Sequence, residues 1–143
     1  MTHDLDDISV YACWTRLSET PEDIAHRTMR FMKEFSTRIK TGPWEPLEGE
    51  WDGTEEDLVT VVRNNAVKTE EGKISRGAGY STTLNNDRGP LNTTFNVSAG
   101  EDQLNERIAS PCFTQDFYHS EHASVGELWD ASVHAAVTAF DPA

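Results

Sequence analysis

The sequence lacks any long apolar run, and its basic residues are few. No stretch approaches the roughly 18 apolar residues of a membrane-spanning helix, and no basic-then-apolar secretory signal opens the chain. Lys and Arg number 12 against 25 Asp and Glu, so the formal net charge is −13. Such a chain repels nucleic acid and anionic lipid and is attracted to basic protein surfaces. We therefore predict a cytoplasmic protein that binds neither membranes nor nucleic acid directly.

Cysteine is also scarce, with only Cys13 and Cys112, about one hundred residues apart. Without a secretory signal, the expected state is two reduced thiols, each packed as a small hydrophobic side chain. A disulfide would require that the strands carrying them be neighbours. No nucleophile elbow or cysteine-protease pattern surrounds either residue, so structural thiols are expected.

The clearest local pattern is a strand followed by a long helix. Residues 8–14 form a short apolar run that is typical of a strand. Thr20 predicts a helix N-cap, Pro21 suits the first helical position, and Asp23 is favoured at the helix N-terminus. Apolar residues then recur at helical spacing. These residues are Ile24, Phe31, Met32, Phe35 and Ile39.

Both ends of this strand–helix unit carry boundary signals. Residues 1–7 are polar and are predicted to be frayed. Gly42 is predicted to cap the helix C-terminus, and Pro43 beyond it prevents continuation. Residues 44–47 should be extended, because a residue that precedes proline disfavours helix.

The second half of the chain changes to strand periodicity. A short helix is predicted to begin after the N-cap Thr54 and to end at residues 64–65. Alternating apolar and polar residues predict strands at 80–84 and 91–99, which a polar turn joins into a hairpin. A further strand or strands are expected within 105–117, where Pro111 indicates an edge position or a bulge.

The last predicted element is a helix over residues 125–140. Its apolar stripe is predicted to comprise Val125, Leu128, Trp129, Val133, Ala136, Val137 and Phe140. Helices segregated from antiparallel strands indicate an α+β fold. We predict one domain over residues 1–143, with an antiparallel sheet of four or more strands, a long N-terminal helix, a short second helix and a C-terminal helix.

The most unusual composition lies between residues 45 and 57, where seven acids occur without a single Lys or Arg. Charge runs usually face water, so a plain solvated surface is one interpretation. Acid–base catalysis, as in glycoside hydrolysis, is a second, although spacing does not place two carboxylates around a substrate. The interpretation that we favour is a partner-binding patch, in which charge steers the partner and an aromatic side chain anchors it. Its residues are Glu45, Glu48, Glu50, Trp51, Asp52, Glu55 and Glu56.

His119 and His122 are the best metal-binding candidates. Two imidazoles three residues apart can share an ion on a helical turn, with Asp116 or Glu121 completing the shell. The segment is expected instead to be a polar loop, and no third strong ligand is evident. Residues 77–79 are Gly-rich but precede a strand, which is the wrong context for a phosphate-binding loop. We predict no catalytic residues, no metal, no cofactor and no enzymatic activity.

Several loosely spaced residues follow an order found in one known family. They run from the strand ending at Trp14, through Leu17-Ser18-Glu19 and Ala25-His26-Arg27, to Trp44. A Gly-rich strand, a hairpin ending Val97-Ser98-Ala99-Gly100, Asn105, Pro111 and a C-terminal helix follow. On these features, nearly the whole chain resembles the bacterial immunity protein 52 family of polymorphic toxin systems.

This resemblance implies an antitoxin that binds and neutralises a cognate toxin, here a nuclease of restriction-endonuclease-like fold. No family motif marks the toxin-binding positions, so the acidic patch is the physical candidate for them. A nuclease groove is basic because it holds phosphates, and an acidic inhibitor can be steered to it. The alternatives are a small carboxylate- or metal-dependent enzyme and a regulatory interaction module with another basic partner.

Overall fold

The strands and helices follow the predicted order along the chain. The computed structural model describes residues 3–14, 18–68, 71–73, 79–100 and 111–140. The strands are β1 (His3–Cys13), β2 (Glu45–Pro46), β3 (Tyr80–Asn86), β4 (Leu91–Ala99) and β5 (Cys112–Ser120), and the helices are α1 (Pro21–Arg38), α2 (Glu55–Asn64) and α3 (Val125–Phe140). Within these residues the five strands form one antiparallel sheet in the order β1-β5-β4-β3-β2. The predicted α+β fold is confirmed.

The N-termini of α1 and α2 form as local sequence predicts. Thr20 caps α1 with a complete capping box, in which its hydroxyl accepts from the Asp23 N–H and Asp23 accepts from the Thr20 N–H, each at 3.1 Å. Thr54 is likewise the N-cap of α2, and its hydroxyl accepts from the Asp57 N–H at 3.1 Å. Each hydroxyl satisfies a backbone donor that the helix itself leaves unpaired.

The C-terminus of α1 differs from the prediction. Ile39, in an extended conformation, is the cap residue, so Gly42 does not cap the helix. Gly42 instead lies against Gly89 of the β3–β4 turn, where a Cβ on Gly42 would meet the Gly89 nitrogen at 2.8 Å. The buried side chain of Asn86 accepts from the Gly42 N–H at 3.1 Å and donates to the Gly42 carbonyl at 2.7 Å. Glycine is required here by a close approach of two backbone segments.

The core lies between the helices and one face of the sheet. α1 packs against both α2 and α3. Phe31 of α1 is fully buried, with its ring centroid 4.8 Å from that of Phe95 and 4.5 Å from that of Phe113. Buried and half-buried residues alternate along β4, so its second face is only partly covered. No described helix packs on that second face, which we call the open face.

The two neighbouring strands β1 and β5 correct two predictions. β1 begins at His3, which pairs with Ser120, so residues 3–7 belong to a strand instead of being frayed. β5 lies between β1 and β4, so the predicted edge position is wrong. The alternative, a bulge, does occur in β5, but at Tyr118, where its pairing with β4 shifts register, and not at Pro111. Pro111 directly precedes β5, where its missing N–H breaks no ladder bond, and its carbonyl accepts from the Trp14 N–H at 3.0 Å. Residues 105–110, the first part of the segment 105–117 in which a strand or strands are predicted, lie outside the described residues.

Helix α3 has the predicted bounds but is rotated relative to the predicted stripe. Leu128, Ala136 and Phe140 are buried as expected. The rest of the buried face consists of small residues, namely Ala131, Ser132, Ala135 and Ala139. Val125, Trp129 and Val137 are instead about half exposed, at 49%, 51% and 54%. Small side chains let a helix approach its neighbours closely, so they decided which face turned inward. Among the described residues, no helix has the length and hydropathy to cross a membrane.

Candidate binding surface

The predicted acidic patch occupies β2, the loop after it and the first turn of α2. Two of its carboxylates contact an arginine or histidine side chain within the chain. Glu45 Oε1 lies 3.2 Å from Arg88 Nη1, and Glu55 Oε1 lies 3.1 Å from His26 Nδ1. Both pairs are substantially exposed, so each contributes little to stability. The Arg88 pair reduces the local negative charge at the Glu45 end of the patch.

Three other acids remain open to solvent. Glu48, Glu50 and Glu56 are exposed, and within the described part of the chain their side chains have no hydrogen bond or ion pair. Unpaired carboxylates keep their full charge and lose no internal contact when a cation approaches. They are therefore the members of the patch best placed to attract a basic partner.

Trp51, the predicted aromatic anchor of the patch, does not project freely into solvent. Its side chain is half-buried and packs against the core, and Nε1 donates to the Thr54 carbonyl at 2.7 Å. Trp44 also packs internally, with its ring centroid 6.2 Å from that of Phe35 and 5.2 Å from that of Phe95. The exposed apolar side chain of this segment is Leu47, at 63%. Its N–H donates to the Thr83 carbonyl of β3 at 2.9 Å, which holds Leu47 at the end of the edge strand β2.

Asp52 organises the loop that carries the acids. Its Oδ1 accepts from the Thr54 N–H at 2.9 Å and from the Thr54 hydroxyl at 2.6 Å, and its own N–H donates to Asp57 Oδ2 at 2.9 Å. The hydrogen bond from the Thr54 hydroxyl, followed by that from the Thr54 N–H, lowers the pKa of Asp52 below its ordinary value. Asp52 is therefore a structural member of the patch, held in its charged form to fix the turn into α2.

A groove opens between this loop and the C-terminal half of α2. Its volume is about 240 Å³, and its lining residues are Glu48, Gly49, Glu50, Thr60, Val61, Asn64 and Asn65. Glu48 and Glu50 supply negative charge on the loop side, while the C-terminal end of a helix carries a partial negative charge of its own. Thr60 and Val61 supply aliphatic surface. A lysine or arginine side chain combines an apolar stem with a cationic head, which matches this lining.

The predicted histidine pair does not lie on one helical turn. His119 belongs to β5, paired with Asn92 of β4, and only His122 lies in the loop that was expected for the whole segment. His122 Nε2 is 3.9 Å from Glu121 Oε2, and both side chains are largely exposed. The structure places no group of three potential metal ligands together among the described residues. The two imidazoles are held by different local backbones, a strand and a bend, because β5 is longer than predicted.

A row of apolar residues on α3 forms an exposed surface, although the sequence periodicity predicted these residues to be part of the buried stripe. Val125, Trp129, Val133 and Val137 are spaced four apart, and Val133 alone is half-buried against the core. Exposed tryptophan is frequent in protein interfaces. The signal that could have revealed this row is the parallel series of Ala and Ser residues, whose small side chains suit close helix packing.

The open face of the sheet carries a polar ladder. Asn96 donates to Ser81 Oγ at 3.0 Å and to Thr83 Oγ1 at 2.8 Å. Thr94 donates to Asn85 Oδ1 at 2.9 Å. These bonds satisfy the side chains across strands, as expected for a sheet face that meets solvent.

Comparison with known proteins does not assign the chain to a family. No protein-family model, curated protein or solved structure matches the chain. The resemblance to the immunity protein 52 family therefore stays a prediction from the sequence.

Proposed function

We propose that this chain is an immunity protein that acts in the cytoplasm by binding and neutralising a cognate toxin, a nuclease of restriction-endonuclease-like fold. The observation that carries this proposal is the acid-lined groove between the Glu48–Glu50 loop and α2. A nuclease exposes lysine and arginine where it holds phosphates. The groove can receive one such side chain while the surrounding acids attract the rest of the basic surface.

The distribution of charge supports inhibition by contact. The chain has 25 acids against 12 bases, and none of those bases lies between residues 45 and 57. Complementary charge raises association rates, which an antitoxin needs because it must meet its toxin before damage occurs. Acting as a bound cover requires no catalytic residue of the antitoxin itself.

Co-expression with the product of the adjacent gene tests the proposal. That product alone should arrest growth, and this chain should restore growth and co-purify with it. Inhibition in vitro should be complete near one equivalent, since a bound inhibitor acts stoichiometrically whereas an enzyme that modified the toxin would act at far lower ratios. A neighbour that is not toxic, or a toxin that is not rescued, would contradict the proposal.

The exposed α3 row favours a second function, an interaction module that binds an apolar partner surface. Trp129 would then be the anchor in place of the acidic groove. The two functions differ in their response to salt. Binding through the groove weakens as salt screens the charges, whereas binding through Trp129 and the neighbouring valines is much less sensitive.

A further inference from the structure

The two cysteines of the chain meet across adjacent strands. Cys13 of β1 and Cys112 of β5 are direct cross-strand partners in the antiparallel register, and neither forms a disulfide. The sequence predicts that each thiol is packed as a small hydrophobic side chain. In the structure both are only half-buried, outside the set of fully buried core side chains. Since their strands are neighbours, the requirement for a disulfide is met.

The hydrogen bonds beside this pair define its geometry. The Trp14 N–H donates to the Pro111 carbonyl at 3.0 Å, so the pair next to the cysteines is a hydrogen-bonded one. Hydrogen-bonded and non-hydrogen-bonded pairs alternate along an antiparallel ladder, which makes Cys13 and Cys112 a non-hydrogen-bonded pair. Opposed Cα atoms in such pairs are about 4.5 Å apart. That separation lies within the span of roughly 4.4–6.8 Å that disulfides bridge.

The pair also lies where a reagent can reach it. The side-chain alternation of β4 and β5 places Cys112 on the open face, opposite Ser98, and its partner Cys13 shares that face. Tyr11, two residues before Cys13 and 61% exposed, lies on the same face. Its phenol hydrogen-bonds the sulfur of Cys13 and interacts with Cys112, which raises the pKa of Tyr11.

We propose that Cys13 and Cys112 form a reactive dithiol, a modification site that low-molecular-weight disulfides oxidise to an intramolecular disulfide between β1 and β5. One thiolate attacks a sulfur of the small disulfide, forms a mixed disulfide and releases one small thiolate. The second protein thiolate then attacks the protein sulfur of that mixed disulfide and releases the other small thiol. The two cysteines lose two electrons and two protons in total, and the small disulfide is reduced to two thiols.

The disulfide would close a loop of about one hundred residues, so it restricts the unfolded chain strongly. Oxidation should therefore raise the Tm by several degrees, and dithiothreitol should reverse that rise. The reaction needs no partner protein, and its outcome is independent of the toxin-binding proposal.

Intact-mass measurement of the purified chain with oxidised glutathione tests the inference. The expected product is monomeric, has lost two hydrogens and has no free thiol. Cys13→Ser and Cys112→Ser should each stop at a mixed disulfide with one glutathione retained. Wild-type protein that retains one or two glutathiones, forms disulfide-linked dimers or stays unreacted while folded would overturn the inference.

A trivalent arsenical supplies a second measurement that requires no variant. Phenylarsine oxide bridges two close thiols, so the reduced wild type should bind one equivalent that a monothiol does not displace. Binding that a monothiol competes away would show that the sulfurs act separately and would overturn the proposed dithiol.

Discussion

Arg27 of α1 places Nε 3.2 Å from Oε2 of Glu19, a carboxylate whose side chain is only 1% exposed. The other oxygen of Glu19 accepts from Trp14 Nε1 at 2.7 Å. Arg27 also donates through Nη1 to the Phe140 carbonyl at 3.2 Å. This pair therefore links the end of β1, the first half of α1 and the end of α3. A buried carboxylate that loses its cation keeps an uncompensated charge.

Arg27→Ala should lower the free energy of unfolding by about 3 kcal/mol, because it removes a cation 3.2 Å from the buried Glu19 carboxylate. Arg30→Ala is the matched control, since Arg30 is an exposed arginine on the same helix. Its substitution should change stability by about 0.5 kcal/mol or less. Urea denaturation of both variants measures the difference. Equal losses would show that the ion pair has no structural role.

Gly42→Ala should destabilise the protein by about 1–3 kcal/mol. The added methyl group would lie 2.8 Å from the backbone nitrogen of Gly89, and backbone cannot yield as a flexible side chain does. Gly126→Ala is the control, because a Cβ there meets no atom within 4 Å in the first turn of α3. It should be neutral or stabilising by up to about 1 kcal/mol. A Gly42→Ala protein with wild-type Tm would contradict the required close approach.

Removal of Trp14 should cost far more stability than removal of Trp129. Trp14 is 3% exposed and stacks on Phe140 with ring centroids 5.1 Å apart, so Trp14→Ala should cost roughly 3–5 kcal/mol. Trp129 is half exposed, and Trp129→Ala should cost less than about 1 kcal/mol. Thermal denaturation of each variant measures these losses. A large loss in Trp129→Ala would place that residue in the core stripe that the sequence predicts.

The lowered pKa of Asp52 predicts that its carboxylate makes a pH-dependent contribution to stability. Its pKa is lower in the folded chain than the ordinary value of 3.8, so the contribution is present above that value and is lost as pH falls through the folded pKa. Asp52→Asn should therefore differ from wild type at neutral pH and progressively less below 3.8. Salt should reduce the difference, because the carboxylate is fully exposed.

A direct titration separates the cause of this shift from its consequence. Thr54→Val removes the hydroxyl that contributes most to it. The pKa of Asp52, measured by NMR, should then rise towards 3.8. No change in the titration would mean that the Thr54 hydroxyl does not hold the carboxylate.

Charge reversal tests the groove as the steering surface for the toxin. The double variant Glu48→Lys/Glu50→Lys should slow association on the order of tenfold at low salt, and less at high salt. The control Glu121→Lys/Asp130→Lys makes the same change of net charge at exposed acids outside the patch. Stopped-flow association with the toxin should show little change for the control. Equal rates for the two double variants would exclude the groove.

Local sequence was sufficient for the N-termini of α1 and α2 and for the alternation along β4. Thr20 and Thr54 are N-caps in the structure because their hydroxyls reach backbone donors only three residues away. The alternation along residues 91–99 matches the buried and half-buried pattern of β4, since side chains of a strand point to opposite faces. The acidic patch was likewise visible as composition, and its exposure follows from the cost of burying charge.

Only the tertiary structure decided what depends on residues distant in sequence. The buried face of α3 consists largely of small residues that pack closely. Because these residues are only weakly hydrophobic, the apolar periodicity of the sequence did not identify them as the buried face. Strand order placed β5 between β1 and β4 and so brought Cys13 opposite Cys112. Trp51 lies in the predicted patch but packs inward, because the tertiary structure brings the hydrophobic core against its ring. The sequence by itself determined the elements and the charge of this protein, since both follow from interactions within a few residues. The tertiary structure decided which side chains share a surface, because strand pairing and helix packing join segments more than one hundred residues apart.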